Sequence, residues 1–217
     1  MEVLIPAGKV SLPGTATLPA GATGIVAFAH GSGSSRHSPR NQYVAGVLHE
    51  HRIATLLFDL LTPHEDQTYA TRFDIELLTE RLLAALAWLE DHQDTKGMKL
   101  GCFGASTGAA AALQAAAKHP GIAAVVSRGG RPDLAGPQAL AAVRAPTLFI
   151  VGGRDDGVIG LNRQACDLLR CEKRLVIVPG ATHLFEEPGT LEQAAAHAAR
   201  WFAAHFRPAE AYSRVPA

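Results

Sequence analysis

The segment Gly104-Ala105-Ser106-Thr107-Gly108 lies between a short apolar run, Met98 to Phe103, and an alanine-rich stretch, Ala109 to Lys118. That arrangement predicts a sharp strand-to-helix corner with a serine at its tip. Such a corner forces its central residue into a strained backbone conformation, tolerated only where the positions two before and two after lack bulk. Gly104 and Gly108 occupy those positions. The corner lifts the Ser106 hydroxyl clear of the sheet, and the N-terminus of the following helix directs free amides and the positive end of its dipole toward it. Ser106 is therefore a candidate nucleophile.

Around this corner the chain alternates short β-rich runs with longer helical patterns, the signature of an α/β fold with a doubly wound, mostly parallel sheet flanked by helices. Val3 to Ile5 and Lys9 to Leu18 carry turn residues and predict antiparallel edge strands. Gly24 to Ala29 is uninterruptedly apolar, as a strand buried on both faces must be. Ser38-Pro39 supplies an N-cap and a first-turn proline for a helix to about His51, and Ile53 to Phe58 is the next strand. In residues 74 to 90, Ile75, Leu78, Leu82, Leu86 and Leu89 recur at helical spacing. Strands are expected at 122–127, 147–151 and 174–178, with helices at 137–143, 160–169 and 191–206; in the last, Ala194, Ala198, Trp201 and Phe202 face inward. A single domain over residues 1–207 accounts for nearly the whole length, with 208–217 a frayed tail. No room is left for a large cap domain, and the segment from Leu60 to Arg72 is the one candidate flap.

Charge and cysteine usage exclude several function classes. With 20 basic and 20 acidic residues and no block of like charge, nothing attracts nucleic acid or an acidic membrane surface. Met1 to Pro6 has neither a basic n-region nor a long apolar core, and the other apolar runs are too short to span a bilayer, so a cytoplasmic location is expected. Cys102, Cys166 and Cys171 form no Cys-x-x-Cys pair and read as reduced structural thiols. His49-Glu50-His51 and His64-Glu65-Asp66 do not match the spacing of a zinc-binding helix, so neither a metal nor another cofactor is expected.

A serine hydroxyl is a weak nucleophile at neutral pH and needs a histidine base oriented by a carboxylate. In an open parallel sheet the reacting groups collect at the carboxyl ends of strands. Gly152-Gly153-Arg154-Asp155-Asp156 follows one expected strand and Gly180-Ala181-Thr182-His183 another. Their chain order, serine then acid then histidine, suits a nucleophile on this kind of corner. Asp155 leads as the acid; Asp156 next to it, and Asp133 after the preceding strand, remain alternatives. Ser127 also ends a strand, but Val125 stands where the sharp turn would want glycine.

On these residues the chain resembles the α/β-hydrolases, and among them the compact dienelactone-hydrolase-like group. The likeness runs over nearly the whole chain and rests on His30-Gly31-Ser32-Gly33, Gly104 to Gly108, Gly152 to Asp155 with Val158, and Ala181-Thr182-His183. It implies Ser106 as nucleophile, Asp155 as acid, His183 as base, and backbone N–H groups of Ser32 and Thr107 as an oxyanion hole. Dienelactone hydrolases proper carry cysteine at the corner where this chain has Ser106, so the lactone substrate does not transfer with the fold. The expected activity is hydrolysis of small or open-bound carboxylic esters through an acyl-enzyme. A peptidase, an acyltransferase, or a binding module that kept the fold and lost turnover are the other readings. Arg36, Arg40, Arg128 and Arg131 lie near strand ends; surface arginines are the default, and an anionic substrate group is the rival use.

Overall fold

The computed structural model describes residues 1–207; the expected frayed tail at 208–217 lies outside them. Eight strands form one sheet in the order β1-β2-β4-β3-β5-β6-β7-β8. They are β1 (Glu2–Ala7), β2 (Val10–Thr17), β3 (Gly24–Ala29), β4 (Ala54–Phe58), β5 (Lys99–Ala105), β6 (Ile122–Arg128), β7 (Thr147–Gly152) and β8 (Lys173–Val178). β1 and β2 pair antiparallel at one edge, β2 joins β4 antiparallel, and every other pairing is parallel. β3, β4 and β7 are buried along their whole length, which explains their unbroken apolar runs.

Six α-helices cover the two faces: α1 (Pro39–Glu50), α2 (Ile75–Asp91), α3 (Thr107–Lys118), α4 (Pro137–Ala142), α5 (Asp156–Leu168) and α6 (Thr190–Phe206). Alternation along the strands divides the core. Val26, Phe28, Phe103, Val126 and Ile150 face α1 and α6, while Ile25, Ala27, Cys102, Val125 and Phe149 face the layer of α2 and α3. α3 is buried on most of its surface, and its alanines let it lie close to the sheet. On the other face, Gly24 and Gly101 leave room for Phe206 and Phe202; a Cβ on Gly24 would stand 2.2 Å from the Phe206 ring.

The Ser38 cap expected from the sequence forms as a hydrogen bond, and Asp74 caps α2 in the same way. Ser38 Oγ accepts from the Asn41 N–H at 3.4 Å, and Asp74 Oδ1 accepts from the Leu77 N–H at 3.1 Å. Two expectations need correction. α5 begins at Asp156 rather than at Gly160, because Asn162 anchors its first turns: the side-chain amide donates to Gly130 O at 3.0 Å and to Val158 O at 2.8 Å. That tertiary tie overrides the poor helix propensity of Gly157 and Gly160. Trp201 is half-buried, and the inward positions of α6 are Ala194, Ala195, Ala198, Ala199, Phe202 and Phe206.

The topology decides where a site can form. From β3 the chain passes through α1 to β4 on one side, then crosses back through α2 to β5 on the other side of β3. The loops after β3 and β5 thus diverge and open a crevice at the carboxyl ends of the strands. Between β4 and α2, the segment from Leu60 to Arg72 contains two short 3-10 turns, Glu65–Gln67 and Tyr69–Phe73. It is held at its base by Arg81 of α2, which donates to Glu65 Oε1 at 2.7 Å and to Ala7 O at 2.6 Å. No large cap interrupts the described residues. None of their helices is long and apolar enough to cross a membrane.

Candidate active site

Ser106 sits between β5 and α3 with φ 50° and ψ −119°, in the left-handed region that a residue with a side chain rarely adopts. Its surroundings enforce that strain. A Cβ on Gly104 would lie 2.4 Å from Ala109 Cα, and one on Gly108 would lie 2.1 Å from Ala29 O. Both glycines are therefore required by backbone contact. Ser106 N–H donates to Arg128 O, while Ser106 O accepts from Ala109 N–H and Arg131 N–H, so the corner is tied to the end of β6 and to the loop that follows it. At the first position of α3, the Thr107 N–H has no intrahelical partner.

The acid and histidine loops are packed backbone to backbone. A Cβ on Gly152 would meet Ala181 O at 2.4 Å, and Arg154 N–H donates to Ala181 O. This contact brings Asp155, at the N-cap of α5, to His183: Nδ1–H donates to Asp155 Oδ2 at 2.6 Å. In the neutral imidazole this bond places the proton on Nδ1 and leaves Nε2 free to accept one. Asp156 is exposed, and Asp133 is held by the Arg131 guanidinium through two bonds of 2.9 and 2.7 Å. Neither alternative acid reaches the histidine. Ser106 and His183 line one cavity of about 230 Å³ together with Ser32, Arg40, Asn41, Arg128 and Gly129, and no hydrogen bond joins the two side chains.

The loop after β3 comes close to the corner: a Cβ on Gly31 would stand 3.2 Å from Ser106 Cβ. Its shape depends on His30, the residue directly after β3. Leu60 N–H donates to His30 Nε2 at 3.0 Å, so the proton is on Nδ1, which donates to Gly31 O at 2.9 Å. Gly31 O and Ser32 N–H belong to the same peptide unit and point in opposite directions. His30 thus orients the Ser32 N–H. Burial pulls the His30 pKa below its ordinary value, against the smaller opposing effects of its Gly31 contact and of Asp59 and Asp66. The sequence signal was the position of His30 directly after a buried strand, but its partner Leu60 lies 30 residues on.

The arginines part ways. Arg36 pairs with Asp59, Arg40 lies 3.4 Å from Glu186 at the rim, and Arg131 holds Asp133. Arg128 departs from the surface default: it ends β6 and is 7% exposed. Of the cysteines, all free, Cys102 is fully buried and its thiol is pushed up to about 12 by burial, while burial also raises Cys166 and Cys171. None is a reactive thiolate at neutral pH. His49 and His51 are turned to separate partners, Thr55 Oγ1 and Val47 O. Among the described residues no group of three or more histidine, cysteine or carboxylate side chains could hold a metal ion.

Residues 52–207 match the family model described as the dienelactone hydrolase family. The crystal structure of a dienelactone hydrolase from Anabaena variabilis superposes with a TM-score of 0.93 at 56% identity, covering 95% of this chain and 98% of that one. Est1E from Butyrivibrio proteoclasticus shares the fold, with a TM-score of 0.80 at 15% identity over 94% of this chain and 98% of that one. In Mycobacterium tuberculosis H37Rv, a protein provisionally named as a phosphoribosyl transferase is 58% identical over 205 residues, 94% of this chain. The chain spans 46% of that relative's length. A family model covering most of the sequence, and a solved relative matched nearly end to end, lead to one assignment: the chain belongs to the dienelactone hydrolase family.

Proposed function

We propose that the protein is a serine hydrolase that cleaves small carboxylic esters through an acyl-enzyme. The observation that carries this reading is the strained Ser106 corner opening on the same cavity as a histidine whose tautomer is set by Asp155. Ser106 Oγ gives its proton to His183 Nε2 and attacks the ester carbonyl carbon. The negative charge on the carbonyl oxygen is held by the N–H groups of Ser32 and Thr107. Collapse of the tetrahedral species breaks the bond to the alcohol, which leaves with the proton from His183. Water, deprotonated by His183, then attacks the acyl-enzyme and releases the acid and free Ser106. Cofactors have no part in this scheme.

The absence of a large cap among the described residues suits small substrates or ones that project out of the cleft. The name borne by the mycobacterial relative refers to a protein about twice as long, and the dienelactone hydrolase model covers residues within the part that this chain shares. Hydrolysis, rather than phosphoribosyl transfer, is accordingly the activity proposed here. A set of p-nitrophenyl esters of rising acyl length tests it. Turnover should be measurable on the short esters and fall by several orders of magnitude in Ser106→Ala. Equal turnover by the variant would retire the reading. No turnover by the wild-type protein on any ester would instead favour a binding module.

A further inference from the structure

Arg128 has an environment that its place in the fold does not explain. Its guanidinium lies 5.9 Å from the Phe103 ring centroid and 5.8 Å from that of Phe185. Nη2 donates a long bond of 3.4 Å to Asn41 Oδ1, while Nη1 is buried with no partner. Arg36, Arg81 and Arg131, by contrast, each meet a carboxylate: Asp59, Glu65 and Asp133. Among the described residues, no carboxylate forms an ion pair with Arg128. Burial lowers its pKa to about 10, with the positive charge of Arg40 adding to the effect, so it stays charged at neutral pH. The two ring faces attract the guanidinium and offset part of its burial, but an N–H group left buried without a partner still costs stability.

The position of the group suggests what it is kept for. Arg128 lines the cavity that contains Ser106 and His183, and the same wall carries Arg40, Asn41, Ser34 and Ser38. Ser38 accepts its capping bond from Asn41, which leaves the hydroxyl proton free to donate outward. The N-terminus of α1, a 12-residue helix, opens onto this wall with the positive end of its dipole. Two guanidiniums, hydroxyl donors and a helix N-terminus line the cavity beside Ser106, with Glu186 3.4 Å from the Arg40 guanidinium at the rim. We propose that this wall is an anion subsite in which Arg128, assisted by Arg40, binds a carboxylate or phosphoryl substituent of the substrate. The proposal rests on the esterase reading only for the word substrate; the binding step stands apart from turnover.

Binding without turnover is therefore the test. Calorimetry on the Ser106→Ala protein should show one-to-one binding of pentanoate or butylphosphonate and none of the neutral pentanamide. The tighter of the two anions identifies the substituent as carboxylate or phosphoryl. Arg128→Met keeps the apolar packing between Phe103 and Phe185 and should weaken that binding at least tenfold. Arg40→Gln, at the rim, should weaken it severalfold and keeps the test decisive if Arg128→Met does not fold. Binding of neither anion, or anion binding untouched by the variants, would overturn the proposal. Arg128-dependent anion binding in a protein that hydrolyses no ester would retire the esterase reading and leave the subsite standing. Ester hydrolysis without anion binding would do the reverse.

Discussion

At the scale of single residues, the site separates one carboxylate from its neighbour. Asp155 bonds the Nδ1–H of His183, whereas Asp156 faces solvent one residue later. Asp155→Asn should preserve the fold but disturb the imidazole tautomer, lowering kcat by about 10³–10⁴ by analogy with the same change in a serine protease. Asp156→Asn should stay within about twofold of wild type, so ester kinetics on the two variants discriminate between them. If Asp156→Asn were the damaging change, the acid would be misassigned. His30 supports a pH prediction whose sign follows from burial. Its pKa is lowered in the folded protein, so the neutral form stabilises the fold fully above about pH 6.5 and that contribution is lost as pH falls toward the folded value. Thermal unfolding should show a smaller drop in Tm between pH 7.5 and 5.5 in His30→Gln than in wild type. Equal slopes would remove His30 from this role; His49 and His197, also lowered by burial, supply the remaining histidine dependence.

At the scale of elements, the corner and the flap make separable claims. Gly108→Ala drives a methyl group to 2.1 Å from Ala29 O, a backbone atom that cannot turn aside. A loss of about 1–3 kcal/mol or more is expected, read as a fall in denaturation midpoint. An unchanged midpoint would mean that the β3–α3 contact is looser than described. The flap is tied down by Glu65, which accepts from Thr62 N–H at 2.8 Å and from Arg81. Burial raises the Glu65 pKa, but the Thr62 and Arg81 hydrogen bonds outweigh it and the net shift is downward. The tie is thus complete above the ordinary carboxylate range and weakens as pH falls through the lowered value. Glu65→Gln at neutral pH should speed amide exchange in residues 60–73 relative to β3 and β5; uniform exchange would contradict a separately anchored flap. The order of elements was legible from local pattern, as the Ser38 cap of α1, the helical spacing of α2 and the apolar run of β3 illustrate. The start of α5 was not, since it depends on Asn162 reaching Gly130, a contact between segments that no local pattern encodes.

For the whole molecule, the sheet order turns separate loops into one site. The loops after β3, β5, β6, β7 and β8 meet at the carboxyl end because β4 and β5 lie on opposite sides of β3. Ser106, Asp155 and His183 stood out as candidates in the sequence because each sits just after a strand, at the sheet end where this topology opens a crevice. Arg128 and His30 could not be ranked the same way. Their significance lies in burial and in partners distant along the chain: Asn41 and Phe185 for one, Leu60 for the other. In the proposed mechanism His183 activates Ser106, although no hydrogen bond joins the two side chains. The most direct measurement of that activation is reaction with a fluorophosphonate followed by peptide mass spectrometry. One phosphonyl adduct should form, on Ser106, and far more slowly in His183→Ala; no adduct on Ser106, or labelling at the same rate without the imidazole, would contradict activation by His183.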